Sequence, residues 1–216
     1  MKSLNIILFC LILVCCNHKN LLIGKAFPKS IHIPDTTNNL YAKHFDYPYY
    51  LIKTEIAKQL KLENLETDTS SSEIRIWKIG SNYHPQKIIT LKNRNNIWTI
   101  AVLTYYLNHK GQNAKVKVDS ISTRGKNERE ISLNEFTLLM TDQIWQLPSQ
   151  SEMKNGGSYG CMDGYALLIE MNSKEKYKYL FYMCPDLHVS KDSTFQTVVT
   201  FTNNVAKLIA GTNLSN

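Results

Sequence analysis

The chain has 216 residues, of which 43 % are hydrophobic and 20 % are charged. These proportions are ordinary for a globular protein and exclude a chain that is disordered throughout. The length suits one domain of ordinary size, and no internal repeat or long low-complexity block divides it.

The first sixteen residues have the three-part layout of a secretory signal. Lys2 supplies a positive charge, an apolar run extends from Leu4 to Val14, and Cys15 and Cys16 precede a polar segment. The apolar run is about half as long as the roughly 20 residues that a transmembrane helix needs. A cleaved signal peptide over residues 1–15 is therefore favoured over a membrane-spanning anchor.

The segment Leu13–Cys16 resembles the lipobox of bacterial lipoproteins, in which a branched apolar residue, an apolar residue and a small residue precede a cysteine. The resemblance implies that Cys16 is acylated and becomes the mature N-terminus. Cys15 departs from the pattern, because Gly, Ala or Ser is usual there. Asn17 lacks the acidic side chain associated with inner-membrane retention, which favours the outer membrane or cell envelope. Plain secretion and an uncleaved anchor are the alternatives.

The formal net charge is +7, and removal of residues 1–15 deletes Lys2 but no acid. A basic domain can bind nucleic acid, but an exported protein rarely meets it, so no nucleic-acid partner is expected. Anionic lipid or a cell-wall polymer would suit the charge better. A solvated basic surface without any dedicated polyanion is the simplest interpretation.

Residues 16–40 are predicted to form a lipid-anchored tether, because they contain Pro28, Pro34 and a polar run over Asp35–Asn39 without a sustained period. A single domain over residues 41–216 follows. Its first predicted helix spans Tyr47–Leu62. The apolar stripe of this helix contains Leu51, Ile52, Ile56 and Leu60, and its lysines fall mostly on the other face.

Four strand patterns follow, over residues 74–79, 88–91, 98–107 and 115–121, with turn signals between them. A helix capped by Ser132 and Glu135 ends before Pro148. A hairpin with arms 165–171 and 177–183 and a final helix beginning near Ser193 complete the chain. The expected fold is α+β, with an antiparallel sheet of about five to six strands and two to three helices packed mainly on one face.

Cys161 and Cys184 are the two cysteines of the mature domain, and exported domains usually join such a pair. Hairpin pairing would place Cys184 opposite Gly164, so the bond requires the chain to curl back there, which Gly160 and Gly164 permit. The rival hypothesis is a cysteine nucleophile with His188 as its base. A disulfide would remove that thiol.

No pair of the six histidines has the spacing of a helical zinc site, and neither CxxC nor HExxH occurs. No metal or other cofactor is therefore expected. Asp163 and Glu170 are the most suggestive acids for catalysis. Ordinary turn chemistry explains Asp163 and a polar strand face explains Glu170, so no catalytic residue is assigned.

A candidate binding surface combines Asp163 and Glu170 with Tyr177 and Tyr179, because aromatic side chains beside lysines can bind proteins or glycans. The alternative is a sheet face covered by helices. The block from Asp163 to Pro185 also resembles a pattern of small exported bacterial proteins of unknown activity, and this resemblance implies a fold element but no activity.

Two classes of function follow from these observations. The first is a non-enzymatic envelope binding or accessory protein, of which an inhibitor- or immunity-type protein is a variant. It would be held at the membrane by its N-terminal lipid and would contact an envelope protein. The second is a small hydrolase acting on envelope polymers through Asp163 or Glu170.

Overall fold

The computed structural model describes residues 28–80, 85–108, 120–139, 141–161 and 164–210. Within these ranges the chain forms a seven-stranded sheet in the order β1-β7-β6-β2-β3-β4-β5. The strands are β1 (Ser30–His32), β2 (Ser72–Ile79), β3 (Gln86–Arg94), β4 (Ile97–Asn108), β5 (Ser120–Ile131), β6 (Ala166–Asn172) and β7 (Lys176–Met183). The strand β1 runs parallel to β7, whereas the other neighbours are antiparallel. The sheet is therefore mixed, which corrects the expectation of a purely antiparallel sheet of five to six strands.

The helices lie on both faces of the sheet. They are α1 (Tyr47–Gln59), α2 (Leu133–Thr137), α3 (Thr141–Gln146) and α4 (Ser193–Ala210). One apolar core joins α1 to the sheet through Ile56, Trp77 and Leu168. A second core joins α3 and α4 to the opposite face, with Ile144 and Phe195 among its members. The helices α2, α3 and α4 thus share one face, called here the α4 face, and α1 lies on the other, called the α1 face.

The sequence of the central strands explains this arrangement. Every residue of β6 is buried, and its alternate side chains enter different cores, as Leu168 and Ile169 do. A strand that is apolar on both faces must be covered on both faces. The predicted hairpin arms agree closely with β6 and β7. The predicted strand over 115–121 lies mostly outside the described residues, and the long charged strand β5 was not predicted.

The segment expected to act as a tether is partly built into the domain. Ser30, Ile31 and His32 pair with residues 176–178 of β7. The ammonium of Lys29 donates hydrogen bonds to the carbonyl oxygens of Leu65 and Asp68, at 2.6 and 2.7 Å. A three-residue edge strand leaves no periodic pattern, because its backbone pairing requires no particular side chains. For this reason the sequence pattern predicts a spacer where the structure has β1.

Side chains complete the edge of β7 beyond the end of β1. The backbone N–H of Phe181 donates to Ser149 Oγ at 2.9 Å, and that of Met183 donates to Gln150 Oε1 at 2.7 Å. Backbone groups at a sheet edge are a template for another strand unless they are covered. Ser149 and Gln150 therefore protect this edge where β1 no longer does.

Other predicted elements are confirmed in outline. Ser132 and Glu135 form the predicted capping box. The sequence predicts one helix as far as Pro148, but the structure has two short helices there, α2 and α3.

Cys161 and Cys184 form a disulfide, with their Cα atoms 6.3 Å apart. None of the helices within the described ranges is long and apolar enough to cross a membrane.

Candidate functional site

A buried ion pair lies between α1 and the middle of the sheet. The ammonium of Lys53 on α1 is 2.6 Å from Glu170 Oε1 on β6, and both side chains are almost fully withdrawn from solvent. Trp77 Nε1 donates to Glu170 Oε2 at 2.7 Å, and the hydroxyl of Tyr177 donates to Glu170 Oε1 at 2.9 Å. The carboxylate thus has a partner for each oxygen, as a buried charge requires.

The surroundings of Glu170 fix its charge state. Burial alone would raise the pKa of Glu170, but the Lys53 ammonium and the nearby Arg75 guanidinium outweigh it and hold that pKa below its ordinary value. Burial, reinforced by the Glu170 charge, raises the pKa of the Tyr177 hydroxyl well above its ordinary value. Glu170 is therefore a stable carboxylate that accepts hydrogen bonds, which does not suit the proton donor of an acid-catalysed hydrolysis.

A line of ion pairs continues from this cluster along the α1 face towards β3. Arg75 Nε donates to Glu73 on the same strand, and Arg75 Nη1 donates to the carbonyl oxygen of Glu63 at 2.8 Å. Lys92 Nζ lies 2.9 Å from Glu73 Oε2 and also contacts the carboxylate of Glu63. Arg94 contacts the other oxygen of Glu63. The register places Glu73 beside Lys92, so strand pairing sets up this alternation of charge.

The α1 helix ends at Gln59, and beyond its end part of the α1 face of β3 and β4 lies open. A groove with a volume of about 650 Å³ lies there. We divide its lining into a base, a wall and a rim. The base contains Ile88, Thr90, Thr99, Ala101 and Leu103, and the wall contains Leu60 and Leu62. The rim contains Lys61, Glu63, Lys92, Arg94 and Glu128. The base is largely apolar, whereas the rim is charged.

Three residues of the predicted binding surface are buried in the structure. Glu170, Tyr177 and Tyr179 are buried beneath α1, so they do not form an exposed binding surface. Tyr177 and Tyr179 share a face, as their spacing indicated, but α1 covers that face. Their hydroxyls reach Glu170 and the backbone oxygen of Asp46. Asp163 and Cys16 lie outside the described residues.

The structure does not support a cysteine nucleophile activated by His188. Cys184 is in the disulfide, so it carries no thiol that His188 could activate. The ring of His188 instead packs against Tyr159 and Phe195, each at a centroid distance of 5.3 Å. His32, which was assigned to the tether, is 2.8 Å from Glu152. In the part of the chain that the structure describes, no group of three or more His, Cys, Asp or Glu side chains could hold a metal ion.

A second buried acid, Asp46, lies immediately before α1. Its Oδ2 accepts a hydrogen bond from Ser149 Oγ at 3.0 Å and another from Ser151 Oγ. Burial raises the pKa of Asp46 to about 6, although the two serine hydrogen bonds oppose this change. Asp46 therefore joins the start of α1 to the segment that protects β7, and its charge changes near neutral pH.

Sequence reasoning missed Lys53, Arg75 and the groove. The sequence held one sign of the buried cluster. Arg75 and Trp77 are two residues apart on β2, so they point to the same face, and both side chains can donate hydrogen bonds in the interior. Lys53 gave no signal, since a lysine on a helix is usually solvated.

No protein family, no curated protein and no solved structure matches this chain.

Proposed function

We propose that this chain is an exported lipoprotein, anchored through Cys16, which binds an envelope protein non-enzymatically through the groove beside α1. The observation that carries the proposal is the open groove beyond the end of α1, where Thr90, Thr99 and Leu103 are partly exposed and Ile97 beside them is 48 % exposed. An apolar concavity with a charged rim is the usual form of a recognition site.

The charges of the groove indicate the chemistry of the partner. Its lining contains more cations than acids, and the acids Glu63 and Glu73 already contact Lys92 and Arg94 or Arg75. Arg94 is more than half exposed and can accept a further acidic group at little desolvation cost. The partner therefore presents an apolar segment next to an acidic side chain.

The ion pairs favour binding over hydrolysis. The pKa of Glu63 is held below its ordinary value, chiefly by hydrogen bonding from Lys92, and that of Glu170 is held down by Lys53. Carboxylates held in the ionised form by cations suit rigid recognition better than proton transfer. An inhibitor- or immunity-type role is the case in which the partner is itself an enzyme, and the same groove would serve it. The hydrolase alternative depends on Asp163, since Glu170 is buried and paired.

The test is photo-crosslinking in the living host with a reactive side chain at Thr90 in the base of the groove. Lys87, three residues earlier on β3 and facing the α4 face, is the matched control position. We expect a discrete adduct from Thr90 whose crosslinked partner peptide contains an apolar stretch and an acid. The second substitution Thr99→Arg, which fills the groove, should abolish it. The same adduct from Lys87, or one that persists with Thr99→Arg, would contradict the proposal.

A further inference from the structure

The helix α1 buries one charged side chain and leaves large apolar ones outside. Its inward side contains Lys53, which is 4 % exposed and paired with Glu170, and Ile56, which joins the apolar core. Its outward side includes Tyr47 and Leu51, which are 42 % and 50 % exposed. Two large apolar side chains therefore lie on the outer side, where a surface helix usually carries polar residues.

Two further apolar residues are exposed near this side of the molecule. Leu40, in the helical turns directly before α1, is 72 % exposed. Ile31 of β1 is also half exposed. It aligns with Tyr177, whose side chain enters the core under α1, so it belongs to the same side of the molecule. These four residues, Ile31, Leu40, Tyr47 and Leu51, are named the outer apolar surface. Exposed apolar surface of this kind marks contact with a protein or a membrane.

The position of this surface in the chain favours a membrane. All four residues lie between residues 31 and 51, at the end of the domain's sequence nearest Cys16. Residues 16–27 can span at most about 40 Å when fully extended. An acyl group on Cys16 would therefore keep the outer apolar surface close to the bilayer at a high effective concentration, so even a weak contact would be occupied.

The charged residues around the outer apolar surface are suited to anionic lipid. Lys43, His44 and Lys58 are exposed on the same helical segment, where Glu55 is an exposed acid. Tyrosine is well suited to the boundary between headgroups and acyl chains, because its ring is apolar and its hydroxyl is polar. Lysines beside apolar side chains are typical of helices that lie in this boundary.

We propose that the outer apolar surface rests on the bilayer that holds the lipid anchor, with α1 lying along the membrane surface. The inference rests on the proposed lipoprotein for the identity of that bilayer. In this arrangement the lipid sets the distance from the membrane and α1 sets the orientation of the domain, so the groove beside α1 faces a partner at the membrane surface.

The experiment uses the full chain expressed with its leader, purified from the host membrane and reconstituted in vesicles of phosphatidylethanolamine and brominated phosphatidylglycerol. Tyr47→Trp places an indole on the outer apolar surface. Leu138→Trp is the matched control, because Leu138 is 71 % exposed on α4's side of the sheet, where its carbonyl oxygen accepts from Asn204. The wild-type emission is subtracted from both variants.

We expect bromine to quench the added emission of Tyr47→Trp at least several-fold more than that of Leu138→Trp. Equal quenching of the two indoles, or none of Tyr47→Trp, would overturn the inference, and the second result would point to a protein covering this surface. The intact mass of the same sample separately reports acylation. An unacylated chain would contradict the anchor, whereas quenching on adding excess vesicles to that chain would still decide whether the outer apolar surface binds lipid.

Discussion

The Lys53 ammonium and the Glu170 carboxylate meet 2.6 Å apart across 117 residues of sequence, in the space between α1 and β6. This contact fixes the helix over the β7, β6 and β2 end of the sheet. Because α1 ends at Gln59, part of the α1 face of β3 and β4 stays open and becomes the base of the groove. The ion pair and the apolar contacts of Ile56 together orient α1, and the end of the helix sets where the groove begins.

Loss of the Glu170 charge should be strongly destabilising. Glu170→Gln keeps the shape of the side chain but leaves the buried Lys53 ammonium with only the more distant Glu66 carboxylate, at 3.8 Å. Breaking one half of a buried pair costs about 3–5 kcal/mol. Urea unfolding at neutral pH should show a loss of that size in the free energy of unfolding.

The control for this prediction is Glu175→Gln in the exposed β6–β7 turn, which should change the free energy of unfolding by less than about 0.5 kcal/mol. The double variant Lys53→Met with Glu170→Gln should recover most of the loss, because neither member of the pair is then left charged without the other. Equal effects of Glu170→Gln and Glu175→Gln would show that the pair does not hold α1.

Asp46 should make stability depend on pH. Its pKa is about 6 in the folded protein and about 4 in an unfolded chain. The unfolded state therefore releases the proton at lower pH, so this group's contribution to stability is complete below pH 4 and is lost as the pH rises through 6. The size is about 3 kcal/mol, since one pKa unit corresponds to roughly 1.4 kcal/mol.

The measurement is urea unfolding between pH 4 and pH 8 for the wild type and for Asp46→Asn, which cannot titrate. The difference between their free energies of unfolding should change by about 3 kcal/mol across this range. The wild type should become less stable relative to Asp46→Asn as the pH rises. The exposed acid variant Asp142→Asn should show no such change. A constant difference between the wild type and Asp46→Asn would mean that Asp46 does not titrate as described.

Gly164 should be required for the disulfide. A Cβ atom at Gly164 would overlap the sulfur atoms of both Cys161 and Cys184, whereas a Cβ atom at Gly160 would meet nothing within 4 Å. Gly164→Ala should leave free thiols, detectable by alkylation and mass. Closing this loop is worth about 3 kcal/mol in the chain-entropy account, and that stability should be lost with it. Gly160→Ala should keep the bond, and thiols in both variants or in neither would contradict this geometry.

Gly156 should be required for the protected edge of β7. A Cβ atom there would overlap the carbonyl oxygen of Gln150, whose side chain accepts from Met183 N. Gly156→Ala should displace Gln150 and speed amide hydrogen exchange at Met183. Gly157→Ala makes ordinary contact with Tyr41 and should leave that exchange unchanged. Unaltered protection at Met183 in Gly156→Ala would show that Gln150 does not shield the edge.

The sequence predicted the parts of the fold that depend on local patterns. The arms of the hairpin appear as β6 and β7, the Ser132–Glu135 capping box is present, and Cys161 is joined to Cys184. Each of these follows from a few neighbouring residues or from a count of cysteines. The strand β1 and the second helical layer were not predictable in this way, because they depend on pairings between distant segments.

The candidate site was less predictable because charge and burial are coupled through tertiary contacts. The spacing of Leu51 and the lysines indicated that Leu51 faces the core and Lys53 faces water. The structure shows the reverse, since Glu170, Trp77 and Tyr177 supply partners that make burial of Lys53 tolerable. The order of polar and apolar residues on α1 cannot reveal a counter-ion on β6.

The most direct test of the proposed lipoprotein is the intact mass of the protein purified from its native host membranes, measured before and after reduction. We expect residues 16–216 with added acyl chains, lighter by two hydrogens before reduction because Cys161 and Cys184 are joined. A chain that retains residues 1–15, carries no lipid and has both thiols free would contradict both the export and the anchor.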